Sequence, residues 1–183
     1  MHAATALRTL SPVKQLTLTA LFAALCYVGT AVVQIPAPSG GYLNVGDVFV
    51  LLAGWCLGPV FGSVAAATGS ALADLIAYPI YAPATFIIKG LDALAAYGIW
   101  FFLKKSIKKD AHDFLPRAIG AVAGETVMVL GYAIFESLLG GFAMAIVNMP
   151  FNLIQAAVCA VGAVAFILPL RKLNSVKRIF PRL

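Results

Sequence analysis

The chain has 183 residues, of which 62% are hydrophobic and only 11% charged, with a formal net charge of +6. Soluble domains carry roughly 25% charged residues, so too little polar surface is present for a water-soluble particle, and the chain reads as an all-α integral membrane protein. The positive balance does not point to nucleic acid, because the Lys and Arg residues flank apolar segments, where they orient spans and meet anionic lipid.

Arg8 and Lys14 precede the first apolar run, Leu16 to Gln34. That run exceeds the roughly 7 to 15 residues of a secretory signal core, so it is predicted to be a retained first span rather than a cleaved leader. A loop rich in Pro and Gly, Ile35 to Tyr42, follows. The second apolar run starts near Gly46 and breaks at Gly58-Pro59, and the third continues to Ala77. A span needs about 20 residues, so residues 46–77 predict a deep hairpin of two short or tilted helices.

After the loop Tyr78 to Pro83, span four runs from Ala84 to Leu103, ending in the aromatics Trp100, Phe101 and Phe102, which are expected at the membrane interface. Lys104, Lys105, Lys108 and Lys109 close it. Span five carries Pro116 in its first turn and extends to Leu139 before Gly140-Gly141; span six runs from Asn148 to Leu170 with Pro150 in its first turn. Twelve of the thirteen Lys and Arg residues then lie in three clusters on one side, and the three opposite loops contain none. The expectation is a single domain over 1–183, six transmembrane helices with both termini cytoplasmic, in a bacterial cytoplasmic membrane.

Lys89 is the exception, alone inside span four. Each helical residue advances about 1.5 Å, so the topology gives every polar residue a depth. Asp47, Asp74, Lys89, Glu136, Asn148, Asn152 and Gln155 all fall in the outer half. Asn148, Asn152 and Gln155 share one helix face, as do Glu125, Tyr132 and Glu136, and Asp92 lies one turn beyond Lys89. Ionisable residues within a bilayer are normally paired, hydrated or functional. A structural role would have Lys89 pair with Asp74 or Asp92. A binding role fits the whole constellation better, with Tyr42, Tyr78, Tyr81 and Phe86 near the mouth for stacking on a small, planar, polar heterocycle.

Chemistry of other kinds has little to draw on. There is no phosphate-binding P-loop, so this chain does not itself supply ATP hydrolysis by that route. His2 and His112 lack a companion at metal-ligand spacing, and Cys26, Cys56 and Cys159 lie in apolar segments as small hydrophobes. No enzyme activity, cofactor or metal is expected. An ion-coupled secondary transporter using Asp47, Asp74, Glu125 and Glu136 is the alternative, and a membrane enzyme with paired carboxylates is a third reading. Ala20 and Ala24 form a small face on span one, extended by Thr17 and Ala31, that permits close helix contact; Gly58 to Gly62 and Gly120 to Gly124 repeat the spacing for packing within the chain.

Tyr42-Leu-Asn44-Val-Gly46-Asp47, Leu57-Gly58-Pro59, Gly69-Ser-Ala-Leu-Ala-Asp74 and Tyr81-Ala-Pro83-Ala-Thr-Phe-Ile-Ile-Lys89-Gly90 resemble the S components of energy-coupling factor (ECF) vitamin importers. The resemblance covers essentially the whole chain. It implies a subunit that captures a vitamin or precursor from outside, working with a transmembrane coupling subunit, the T component, and two cytoplasmic ATPases. It places the ligand near the outer surface, which adds Asn44 to Asp47, Asp74, Lys89, Tyr132, Glu136, Asn148, Asn152 and Gln155 as substrate-binding candidates. Ala20 and Ala24 become the face toward the coupling subunit. The subgroup most similar implies hydroxymethylpyrimidine or pyridoxine, with riboflavin as a further possibility.

Overall fold

The structure, a computed structural model, describes residues 11–106 and 113–180. Arg8, Lys108, Lys109, Arg182 and both histidines lie outside the described residues. Helix α1 spans Pro12–Val32; the Ser11 hydroxyl accepts the Lys14 backbone N–H at 3.4 Å, and Pro12 occupies the first turn, where no donor is needed. Two-residue strands β1 (Ile35–Pro36) and β2 (Tyr42–Leu43) then pair antiparallel, Ile35 opposite Leu43. Their connection turns through Gly40 and Gly41, at φ of 107° and 77°, which only glycine adopts without strain.

Helix α2 (Asp47–Leu57) ends at Gly58, whose φ of 86° reverses the chain into α3 (Pro59–Ala77). Helices α4 (Ala82–Ser106), α5 (Phe114–Gly140) and α6 (Phe142–Leu170) complete the bundle, and a short α7 (Asn174–Ile179) follows. Five helices, α1 and α3 to α6, are long and apolar enough to cross a membrane. Helix α2 has 11 residues, about 16 Å at 1.5 Å per residue, roughly half of a 30 Å hydrocarbon core. The expected hairpin is therefore asymmetric, one half-length arm and one of full length. Helix α6 begins at Phe142, six residues before the predicted Asn148, because Gly141 alone makes the break and the apolar residues after it continue the helix. Pro150 consequently lies inside α6 and not in its first turn.

The burial pattern explains why α2 can be short. Nine of its eleven residues are buried, so it serves as the core around which α1, α3, α4 and α6 pack. Leu51, Trp55 and Leu57 meet Phe22, Trp100 and Ile167 there. Glycines set the spacing: a Cβ on Gly69 would strike the Ala23 carbonyl of α1, and one on Gly120 the Ala96 carbonyl of α4. The outside reverses the order of a soluble protein. Leu138 and Ile76 are 82% and 74% exposed, whereas Asp47, Asp92 and Arg117 are at 0%, which is stable only where apolar surface meets lipid.

Candidate functional site

A cavity of about 30 Å³ lies at the end of the bundle formed by the β1–β2 loop, the α3–α4 connection and the α5–α6 junction. Its wall includes Tyr42 and Asn44 from the loop, Asp74 of α3, Tyr81, Tyr132 and Glu136 of α5, and Phe151, Asn152 and Gln155 of α6. Hydrogen bonds organise this wall from several elements. The Tyr42 hydroxyl donates to Asp74 Oδ1 and the Thr85 hydroxyl to Asp74 Oδ2. With its proton so committed, Thr85 Oγ1 accepts from the Tyr132 hydroxyl, 2.9 Å away. Tyr81 donates weakly to Glu136 Oε1 at 3.5 Å, and Asn148 Nδ2 donates to the same oxygen at 3.0 Å.

Among the described residues, two polar atoms of the wall have no hydrogen-bond partner: Glu136 Oε2, an acceptor, and Asn152 Nδ2, a donor. Burial and the neighbouring Asp74 charge push the Tyr42 phenol well above its ordinary pKa; burial and Glu136 do the same to Tyr81. Both phenols therefore stay protonated and keep their role as donors. The cavity thus combines aromatic walls with one free acceptor and one free donor, a set suited to holding a polar ring by its edge.

Beneath the cavity lies a buried ion pair. Lys89 Nζ donates to Asp47 Oδ1 at 2.5 Å, and Gln155 Nε2 donates to Asp47 Oδ2 at 2.6 Å. Gln155 Oε1 accepts from the Asn44 backbone N–H at 2.8 Å, which ties the loop to the floor. Asn148 holds the loop at a second point, accepting from Ser39 N–H at 3.2 Å and donating to the Gly40 carbonyl at 3.0 Å.

Of the nine candidates read from the sequence, Asn44, Asp74, Tyr132, Glu136, Asn152 and Gln155 line the cavity. Asn148 clamps the loop to Glu136, and Asp47 and Lys89 form the layer below. Lys89 pairs with Asp47, not with Asp74 or Asp92, because Asp47 opens α2 beside it while Asp74 is engaged by two hydroxyls. Phe86, expected near the mouth, is 47% exposed on the outside of α4. Tyr78 packs against Tyr42 and Tyr81 behind the wall. Sequence reasoning missed Thr85, although Thr85, Lys89 and Asp92 lie four and three residues apart on one face of α4.

The opposite end holds a second buried cluster. Asp113, just before α5, accepts from Trp100 Nε1 at 3.0 Å, Arg117 Nε at 2.7 Å and Arg171 Nη1 at 2.8 Å. Burial alone would raise its pKa, but Arg117, the hydrogen bonds and Lys104 outweigh this and hold the carboxyl down at about 2. The Arg117 guanidinium lies 4.5 Å from the Trp100 ring and 5.2 Å from that of Trp55. Trp100, expected at the lipid interface, is instead buried at 2% exposure by this contact.

A family model described as "ECF-type riboflavin transporter, S component" matches residues 11–172. The chain belongs to this S-component family. A Pyrococcus woesei relative, described as an "Uncharacterized protein in gap 3'region", is 38% identical over 130 residues, covering 70% of this chain and 82% of the relative. The fold is shared with a solved structure described as "Structure and mechanism of the S component of a bacterial ECF transporter". Its TM-score is 0.65 and its identity 22%, with 88% of this chain and 98% of the other covered. The protein is thus a multi-pass membrane S component, a substrate-binding part of an ECF transporter rather than an enzyme. In this S component Thr17, Ala20 and Ala24 are exposed along α1, on the side away from the Gly69 contact with α3.

Proposed function

We propose that this S component captures a small heterocyclic vitamin or vitamin precursor from outside the cell and delivers it across the cytoplasmic membrane of a bacterium with a transmembrane coupling subunit and two ATPases. The observation that carries this reading is the free acceptor and free donor, Glu136 Oε2 and Asn152 Nδ2, facing a cavity walled by Tyr42, Tyr81 and Tyr132. A single ring of the hydroxymethylpyrimidine or pyridoxine kind fits so compact a set of contacts. Riboflavin is the second reading, favoured by the description of the family. Asn44, Asp74, Tyr132, Glu136, Asn152 and Gln155 are the residues assigned to the ligand, with Asp47, Lys89 and Asn148 supporting them.

The orientation follows from charge. Lys14, Lys104, Arg171 and Lys172 lie at the helix ends opposite the cavity, and basic flanks are retained in the cytoplasm. The cavity then opens outward, both termini are cytoplasmic, and the segment from Tyr42 through α2 makes the sixth crossing. Mass spectrometry of small molecules that co-purify with the protein, followed by calorimetry against a vitamin panel, tests the assignment. Retention of a pyrimidine or pyridine vitamin supports the first reading and riboflavin the second; no binding at micromolar concentration refutes both. Ala20→Trp and Ala24→Trp are expected to leave ligand affinity unchanged and to abolish uptake in vesicles containing the partner subunits, because a bulky residue prevents close helix approach. Equal loss of binding would remove the docking role.

A further inference from the structure

Below the Lys89–Asp47 pair, Asp92 of α4 and Glu125 of α5 bring two more carboxyls into the bundle. Asp92 is fully buried and Glu125 is 3% exposed, and all four of their oxygens lack a hydrogen-bond partner among the described residues. One oxygen from each of Asp47, Asp92 and Glu125 lies within 4.8 Å of the others. With all three ionised, the one ammonium of Lys89 would leave two negative charges uncompensated in a region shielded from water. Such charges neutralise rather than persist. Glu125 supplies a second reason, since it also lines an apolar groove between α5 and α6 beside Val122, Val129 and Ala160. Leu130 and Leu153 on that groove are more than half exposed, so an ionised Glu125 would border hydrocarbon.

Two kinds of counter-charge could meet this need, a metal ion or protons, and the donors decide between them. Both oxygens of Asp47 are already engaged, by Lys89 and Gln155. That leaves four carboxylate oxygens near an ammonium, whereas calcium takes roughly 6 to 8 oxygen ligands. Protons need only the oxygens present. We propose that Asp92 and Glu125 form a proton-binding pair beneath the ligand cavity, their carboxyls holding protons at neutral pH.

The other ionisable groups around the pair are accounted for. Asp47 and Lys89 neutralise each other, and Asp74 of α3 is held by Tyr42 and Thr85. Cys26 of α1, Cys159 of α6 and Tyr132 above Lys89 carry no formal charge in their protonated forms. The pair is close to the cavity, since Asp47 is bonded to Gln155, which lines it. Loss of the protons would set new negative charge beside Asp47 and draw Lys89 away from it, loosening the floor. This holds whatever ligand the cavity takes.

Infrared spectroscopy of the intact protein in lipid nanodiscs at neutral pH tests the proposal. A carboxylic-acid carbonyl band is expected, shifted in part by carbon-13 labelling of aspartate and in part by labelling of glutamate. Asp92→Asn and Glu125→Gln should each remove about half of it, and Asp74→Asn and Glu136→Gln should leave that band in place. Isotope labelling reads the wild-type chain and must show both an aspartate and a glutamate contribution, so a band from one residue type alone overturns the proposal even where a variant fails to fold. A spectrum showing only ionised carboxylates overturns the proposal, as does a band that both Asp92→Asn and Glu125→Gln leave untouched. Disappearance of the band on adding calcium or sodium chloride also overturns it and makes the cluster a metal site.

Discussion

The two ends of the bundle both bury charge, and they do so to opposite effect. At the end holding Asp113, one carboxylate accepts from Trp100, Arg117 and Arg171, and both of its oxygens are engaged. Arg117 Nη1 and Nη2, without hydrogen-bond partners among the described residues, belong to a guanidinium held against the Trp55 and Trp100 rings and face no cavity. At the cavity end, ion pairing stops one layer short of the surface, and Glu136 and Asn152 keep polar atoms without partners. A buried ion pair is thus poor evidence for a site in a membrane helix bundle. Hydrogen-bonding capacity left open around a cavity is much better evidence, because leaving it unmet costs about 1 to 3 kcal/mol per group, a cost a ligand can remove.

That contrast can be broken by experiment, and the largest effect is expected at the layer between the two ends. Lys89→Ala leaves Asp47 buried without its cation, which typically costs about 3 to 5 kcal/mol. Thermal unfolding in detergent should show a large drop, and adding Asp47→Asn should recover part of it. Asp113→Ala should come next, about 3 kcal/mol on the same grounds, with vitamin affinity unchanged within twofold. If this variant weakened binding as strongly as a cavity variant, the division between the ends would fail.

Glu136→Gln and Asn152→Ala should behave in the reverse way. Each is expected to lower ligand affinity about tenfold, or ~1.4 kcal/mol, in calorimetry, while the unfolding temperature changes little. The smallest effect is on pH dependence. Asp113 is held at about 2 against an ordinary value near 3.9, so its stabilisation is present above about pH 4 and lost as pH falls toward 2. Asp113→Asn should flatten the unfolding profile across that window; an unchanged slope would mean that other carboxyls dominate it.

Much of the cavity was legible from spacing and depth. Glu136 and Tyr132 on one face of α5, and Asn152 and Gln155 on one face of α6, meet as their periodicity requires. What the spacing does not show is which charges satisfy each other. Lys89 lies near three carboxylates in the sequence-derived depth order, and the choice of Asp47 depends on where α2 starts, which is a matter of tertiary packing. The early start of α6 was hidden because Pro150 looks like a first-turn residue, although the apolar stretch before it is helical. The Asp113 cluster was missed for a related reason. Arg117 counts as a flanking charge in a topology argument, and only the fold reveals that the two tryptophans, distant in sequence, enclose it.

The two amides that hold the loop bear on kinetics. Asn148 and Gln155, both on α6, fasten the segment from Ser39 to Asn44 by three hydrogen bonds, and this segment forms part of the wall of a cavity of only about 30 Å³. A ring-sized solute needs more room than that, so its entry requires the wall to move, and the segment held by these bonds is a part of the wall outside the helices. Its association rate should therefore fall well below the diffusion limit of about 10⁹ M⁻¹s⁻¹, and the same fastening, remade over the bound solute, lengthens its residence.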